Sequence, residues 1–377
     1  MRILIYGRFS SHHFAIRNVI TNICQGVNDR IDLSKDEIFL VSNTKNLDTF
    51  KEMKHFTIIP VDIDPDDAMK NQFFTLFKLP RLLRKNKIDL VIFPQITFFF
   101  FKKCKTVFYI HDLIEYSVKN AKSISLKLRK FFYKRAAKIS DRIITISENS
   151  KKDIIEILKY PESKISILYC GRDESLVPQD KDESLKIIKA ELPVLKNIES
   201  FLLYVGYLAH PQKNLLFVLD NISEILKKYK LHFVLVGPDG KDAELIHEKI
   251  KEVNSKLGEE LIISTGPINK NLLPKLYSTT KGFIFVSQYE GFGMPVLEAM
   301  SCGAPVITSN SSSLKEVSCG CTELIDPYNS SEFKLKLEKL INDGEKSVTD
   351  YVVPLEKFTW KNHIDGLIKL IITFGQK

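Results

Sequence analysis

What this chain lacks narrows its class before any motif is read. No uncharged apolar run approaches the ~18 residues that a membrane-spanning helix needs. Six cysteines (Cys24, Cys104, Cys170, Cys302, Cys319 and Cys321) form no paired framework. Cys319-Gly320-Cys321 has no second cysteine pair or histidine at metal-site spacing, so reduced thiols in a cytoplasmic protein are expected. Strand-like Arg2-Ile3-Leu4-Ile5-Tyr6 follows Met1 directly, where a secretory leader would begin otherwise. A P-loop is missing, and the one Gly-x-Gly, Gly291/Gly293, carries Val296 where a dinucleotide fingerprint has its third glycine. Bilayer spans, disulfide scaffolds, P-loop NTPases and nicotinamide enzymes are thereby set aside.

What is present is globular. A chain of 377 residues with 44 % hydrophobic and 27 % charged residues suggests two domains. The net charge of +9 makes an anionic partner plausible without choosing its kind. Apolar runs alternate with helical patterns throughout. In the first half, strands are expected at 3–6, 38–41, 56–61, 90–93, 107–110, 142–146 and 165–168, with helices at about 13–26, 71–85, 123–138 and 147–158. In the second half, strands are expected at 201–205, 231–236, 261–264, 283–286 and 306–308. Helices follow at about 215–228, 242–257, 271–278, 295–300 and 331–342. Such alternation predicts α/β architecture, a parallel sheet wound on both faces in each half. The polar, aperiodic stretch Asp173–Glu183 reads as the boundary.

The most informative stretch is Phe283–Val317, which reads as strand, glycine turn and helix start. Gly291-Phe292-Gly293 lets the backbone turn tightly, and Pro295 suits a first helical turn because it has no N–H to satisfy. A helix start behind such a turn offers free amides and a positive dipole end to an anion. Glu290 and Glu298 would repel a phosphate, so they read better as acceptors for hydroxyls on either side of one. A phosphate between two polyols describes a nucleotide-sugar.

Glu290-Gly291-Phe292-Gly293-Met294-Pro295-Val296-Leu297-Glu298, followed by Cys302-Gly303 and Pro305-Val306-Ile307, resembles the Glu-x7-Glu signature of family 4 retaining glycosyltransferases. The resemblance implies the GT-B fold, two doubly wound Rossmann-like domains facing a cleft. It also implies an acceptor domain over 1–172, completed by a returning helix over 358–377, and a donor domain over 173–357. The activity implied is a metal-independent, retaining transfer from a nucleotide-diphosphate sugar, with no other cofactor. Glu290 would hold the donor sugar and Glu298 the ribose. Gly291, Phe292, Gly293, Met294, Val296 and Leu297 would surround the donor.

Further elements carry the same resemblance. Tyr204-Val205-Gly206 through Gln212-Lys213-Asn214 is similar to the family's strand–Gly–loop–Arg-Lys-Asn segment, with Lys213 on the diphosphate and Gln212 in place of the usual arginine. His111-Asp112 looks like the element whose histidine sits beside the transferred sugar, and a strand's carboxyl end suits it. Gly237 and Gly266 end strands on the base side of the donor site, with backbone around Ile268 reading the base. The loop Gly7–His13 departs most from the family, and Arg8 and His12 are acceptor candidates there. The acidic cluster Asp62, Asp64, Asp66 and Asp67 reads as a solvated loop rather than a metal site.

Phe98–Lys103 and the basic stretch 117–138 put aromatic residues beside lysines, which suits the headgroup zone of an anionic membrane. The opposite reading makes the phenylalanines core. No nucleic-acid module is present. The expectation is a hexosyltransferase of bacterial surface-polysaccharide synthesis, cytoplasmic or peripheral on the membrane's inner face. GDP-mannose is the favoured donor and a saccharide or lipid-linked saccharide the acceptor. Rhamnosyl, glucosyl or N-acetylhexosaminyl transfer are the enzyme alternatives; a carbohydrate-binding protein that kept the fold is the non-enzyme one.

Overall fold

Each apolar run named above becomes a strand of one of two parallel sheets. The structure is a computed structural model that describes residues 1–9, 14–30, 36–100, 103–117 and 124–376. Strands buried on both faces read as continuous runs of Val, Ile, Leu and Phe, which is why periodicity of two is missing from them. The chain divides into two compact units, Met1–Gly171 with Thr359–Lys377, and Arg172–Phe358.

Unit 1 contains β1 (Arg2–Tyr6), β2 (Glu37–Asn43), β3 (Phe56–Val61), β4 (Leu90–Phe93), β5 (Lys105–Tyr109), β6 (Arg142–Thr145) and β7 (Ile165–Ile167). Their order is β3-β2-β1-β4-β5-β6-β7, all parallel, with Ile3 in register with both Ile38 and Leu90. The winding direction reverses between β1 and β4, and such a reversal opens a crevice at the strands' carboxyl ends. Phe93 shows how the core is filled: it is fully buried and stacked on Phe108 at 4.5 Å, with Phe99 at 5.0 Å on another side. Truncating such a ring to Ala costs about 3–5 kcal/mol.

The last helix, Trp360–Gly375, belongs to unit 1. Thr359 caps it by accepting from Asn362 N–H at 3.1 Å, and its apolar stripe packs against the helix Phe14–Arg30. A Cβ on Gly26 would meet Ile364 Cγ1 at 2.3 Å, so the two helices approach closer than any side chain at 26 allows.

Unit 2 repeats the plan with β8 (Phe201–Val205), β9 (His232–Val236), β10 (Ile262–Gly266), β11 (Gly282–Phe285), β12 (Val306–Ser309) and β13 (Glu323–Ile325), in the order β10-β9-β8-β11-β12-β13. The reversal falls between β8 and β11. Both β11 and β12 therefore deliver the loops of the Glu-x7-Glu region to the same carboxyl edge.

Several elements depart from the sequence reading. The helix expected over 71–85 runs as Ala68–Phe73, a π-helical segment Phe74–Lys78, and Leu79–Lys85. Pro80 has no N–H to give the preceding turn, and the wider π turn absorbs that defect. The helix expected over 215–228 is interrupted at Ile222, giving Leu215–Asn221 and Ser223–Tyr229. The polar boundary stretch ends inside a helix, Lys181–Glu191, which Asp180 caps by accepting from Glu183 N–H at 2.9 Å. Strand β13 and the helix Leu314–Ser318 had no counterpart in the reading.

Candidate functional site

Within unit 2, the loop after β11 ends at Gly293, which has φ +115° and caps the helix Met294–Ser301. A Cβ there would lie 2.7 Å from Leu314 Cδ2, so both the turn and the packing behind it require glycine. Pro295 stands in the helix's first turn. Val296 and Leu297 are fully buried, and their amides donate to Gly293 O at 3.0 and 3.3 Å. These two N–H groups are thus engaged inside the helix. Phe292 is buried with its ring edge-on to Phe358 at 5.3 Å, while Gly291 and Met294 are half-buried.

Glu290 and Lys213, read separately from the sequence, are partners. Lys213 Nζ donates to Glu290 Oε1 at 2.6 Å, with the side chains 14 % and 12 % exposed, and Nζ also lies 5.1 Å from the Phe285 ring centroid. At that degree of burial each charge needs the other. The Glu290 backbone is fixed as well. Its N–H donates to Ser312 Oγ at 3.0 Å, and Ser313 Oγ lies 2.9 Å from Glu290 O and 2.7 Å from Phe292 O. The serine run after β12 therefore clamps the peptide that carries the glutamate. A left-handed Ser312, φ +49°, aims its hydroxyl at that amide.

Gln212 stands where the family pattern has arginine, and it ties loops together. Its Nε2 donates to Tyr289 O at 3.1 Å and its backbone carbonyl accepts from Gln288 N–H at 2.9 Å. Glu298 lies one helical face on, half-buried, and its Oε2 accepts from Tyr277 O–H at 3.0 Å. Burial pushes the Glu298 carboxyl above the usual carboxylate range, and the Tyr277 hydrogen bond opposes that only in part. Gly206 and Gly237 follow β8 and β9. A Cβ on Gly237 would fall 2.1 Å from Gly206 O, so the two strand ends approach at backbone distance. Half-buried Ile268 follows β10.

Unit 1 carries the other expected residues on its own carboxyl edge. His111 follows β5, and its Nε2–H donates to Pro94 O at 2.7 Å, leaving Nδ1 as the acceptor. Burial pulls its pKa below the ordinary histidine value, which keeps the ring neutral near pH 7. Behind it, His363 of the last helix donates from Nδ1 to Tyr169 O at 2.9 Å and accepts Tyr109 O–H on Nε2 at 3.0 Å. Arg8 follows β1 and is 3 % exposed. His12 lies outside the described residues. In the acidic cluster, Asp64 pairs with Lys45 at 2.5 Å and Asp67 caps the helix Ala68–Phe73. Among the described residues no group of three potential ligands could hold a metal ion.

The sequence reading missed Tyr277, Ser312, Ser313, Asn43, Asn71 and Gln95, all of which hold a candidate residue in place. Each acts across long sequence separations, so spacing carries no trace of it.

Comparison with known proteins follows the same division. A family model described as Glycosyltransferase Family 4 matches residues 35–176, and one described as Glycosyl transferases group 1 matches residues 199–343. O-antigen chain mannosyltransferase B of Escherichia coli is 27 % identical over 229 residues, 58 % of this chain and 57 % of that protein. Serotype-specific mannosyltransferase WbdA of Escherichia coli is 28 % identical over 285 residues, 71 % of this chain but 34 % of that protein. The match thus spans about half of the first relative and a third of the second. Among solved structures, a glycosyltransferase from Rickettsia africae ESF-5 aligns over 99 % of this chain and 98 % of its own with TM-score 0.71 at 15 % identity. HepE of Anabaena, solved with UDP and glucose, aligns over 98 % and 99 % with TM-score 0.70 at 15 % identity. These likenesses establish the GT-B fold. With both halves matched, the chain belongs to the family 4, or group 1, glycosyltransferases.

Proposed function

We propose that this protein is a metal-independent, retaining hexosyltransferase that moves mannose from GDP-mannose to a saccharide or lipid-linked saccharide of a bacterial surface polysaccharide. The observation that carries the reading is the Lys213–Glu290 pair, clamped by Ser312 and Ser313 at the carboxyl edge of unit 2. A cation and a carboxylate held 2.6 Å apart offer a diphosphate and a sugar hydroxyl adjacent partners. Lys213 would neutralise charge developing on the leaving diphosphate, an electrostatic contribution to the transition state. Glu290 would accept from sugar hydroxyls and Glu298 from ribose hydroxyls. The remaining donor contacts would come from Gly206, Gln212, Gly237, Ile268 and the turn Gly291–Leu297. No side chain is assigned as a covalent nucleophile. We assign His111 of unit 1 to the reacting region, beside the transferred sugar and the bond that breaks, and Arg8 to the acceptor side.

The mannosyltransferase relatives support the choice of sugar, and HepE, solved with UDP-glucose, supports a nucleotide-sugar donor. A thermal-shift panel of GDP-, UDP- and dTDP-sugars, followed by a transfer assay, tests the reading. GDP-mannose is expected to raise the melting temperature most. If Glu290→Ala and Glu298→Ala bind and turn over donor like the parent, the reading is wrong.

An anionic membrane surface is the partner we favour for unit 1. Phe99 is core, but Phe98, Phe100, Phe131 and Phe132 form a cluster of rings whose neighbours stand 4.5–6.1 Å apart, with Phe131 half-exposed. Phe101, Lys102 and residues 118–123 lie outside the described residues. A groove of about 720 Å³ continues the surface, lined by Met69, Phe73, Phe77 and Phe98 between Lys70 and Lys78. Exposed aromatics beside ammonium groups match lipid headgroups over a hydrocarbon boundary. No helix among the described residues is long and apolar enough to cross a membrane.

A further inference from the structure

Arg8 lies two residues past β1, where the order of the unit 1 sheet reverses between β1 and β4. It is buried, yet no carboxylate among the described residues pairs with it, and its Nη1 makes no hydrogen bond. Its Nε donates to Asn43 Oδ1 at 3.1 Å and its Nη2 donates to Asn71 Oδ1. The guanidinium lies 4.6 Å from the Phe74 ring centroid.

The two asparagines have no freedom to do otherwise. Asn43 Nδ2 donates to Ile63 O at 2.5 Å. Asn71 Nδ2 is within 2.8–3.0 Å of the carbonyls of Asp64, Pro65 and Asp67. With their amide nitrogens so engaged, both must present a neutral oxygen to the guanidinium. A structural arginine buried this deeply is ordinarily matched by a carboxylate, because an uncompensated buried charge is costly. Here it is oriented by dipoles and a ring face, which fix its position and leave its charge unspent. Gln95, two residues past β4, donates through Nε2 to Arg8 O and ties the two strand ends of the reversal together.

We propose that Arg8 is an oxyanion subsite at the switch point of unit 1, and that its ligand is the phosphate of a phosphorylated acceptor. The planar fork of a guanidinium suits two phosphate oxygens, and a phosphate supplies the negative charge that Asn43 and Asn71 withhold. The assignment of that phosphate to the acceptor rests on the proposed transferase function; the existence of the subsite does not.

The test uses the full chain labelled with ¹⁵N-arginine, the Arg8 Nε–H resonance being assigned by its loss in Arg8→Lys and Arg8→Gln. Inorganic pyrophosphate, geranyl diphosphate and GDP are titrated separately. The resonance is expected to move saturably with pyrophosphate and more tightly with geranyl diphosphate. Calorimetric affinity for geranyl diphosphate should fall about tenfold or more in Arg8→Gln and less in Arg8→Lys, which keeps the charge but loses the fork. An Arg8 resonance unmoved by both diphosphates overturns the subsite, and this reading needs only the parent chain and one assigned variant. Movement with GDP in preference to geranyl diphosphate overturns the acceptor as its source. A chain that binds diphosphate through Arg8 but neither binds nor transfers from any nucleotide-sugar would refute the transferase reading and leave the subsite standing.

Discussion

The two units share a strand plan and differ in how their carboxyl edges treat charge. Unit 2 compensates its charges internally: Lys213 meets Glu290, and Glu298 meets the Tyr277 hydroxyl. Unit 1 does the reverse. Arg8 is held by neutral amides, and His111 and His363 are kept uncharged by burial. A self-compensated edge is stable before any ligand arrives and must exchange partners when one does. An uncompensated edge waits for a counter-charge. The contrast also bears on legibility, because Glu290 and Glu298 stand in a spaced motif, whereas the amide cradle around Arg8 has none.

The largest effect expected on the unit 2 side is Glu290→Gln, which keeps the volume and removes the charge. Turnover with the best donor of the panel should fall about 10²–10³-fold, measured under saturating donor. An unchanged rate would mean the pair is structural. Next comes Lys213→Met, which strands the Glu290 carboxylate at 12 % exposure. Unfolding by denaturant should show a loss of about 3 kcal/mol. The double variant with Glu290→Gln should recover part of that loss, so non-additivity is the diagnostic.

On the unit 1 side the test is pH. Burial pulls His363 down to about 4, against about 6.5 in an unfolded chain. Between those values the unfolded state binds more protons, so stability is lost as pH falls from about 6.5 to about 4, by up to about 3 kcal/mol. His111 shifts in the same direction and adds to the slope. Glu298, whose carboxyl is raised, works oppositely: its contribution is present at low pH and lost as pH rises. His363→Gln should flatten the acid limb of unfolding free energy against pH; an unchanged limb would place the sensitivity elsewhere. The smallest effect belongs to Tyr277→Phe, about 1 kcal/mol in stability, with a severalfold weaker nucleotide affinity by calorimetry if Glu298 serves the ribose.

Much of this architecture was readable because parallel strands buried on both faces announce themselves as apolar runs. Twelve of the thirteen strands among the described residues coincide with such a run; β13, three residues long beside Cys319-Gly320-Cys321, offers too short a one. The helix Lys181–Glu191 hid behind its own polarity, although Asp180 with Glu183 three residues on is an N-cap pattern that marks its start. The break at Ile222 had no proline or glycine to announce it. Glu290, Lys213, Glu298 and His111 stood out by pattern, but the bond between Lys213 and Glu290 joins residues 77 apart and belongs to the fold. Asn43 and Asn71 looked like ordinary loop and helix polar residues. Only the direction of their amides gives them meaning.

The return of Trp360–Gly375 to unit 1 has a consequence for biogenesis. Gly26, Leu168 and Tyr109 all wait for a partner on that helix, through Ile364, Gly366 and His363. During translation the whole of unit 2 emerges between the two parts of unit 1, a delay on the order of ten seconds or more at common elongation rates. The second unit can therefore finish first, while the earlier-made one holds an open apolar seam. Expression of residues 1–171 alone should yield a chain prone to aggregate, and supplying the terminal helix in trans should rescue it.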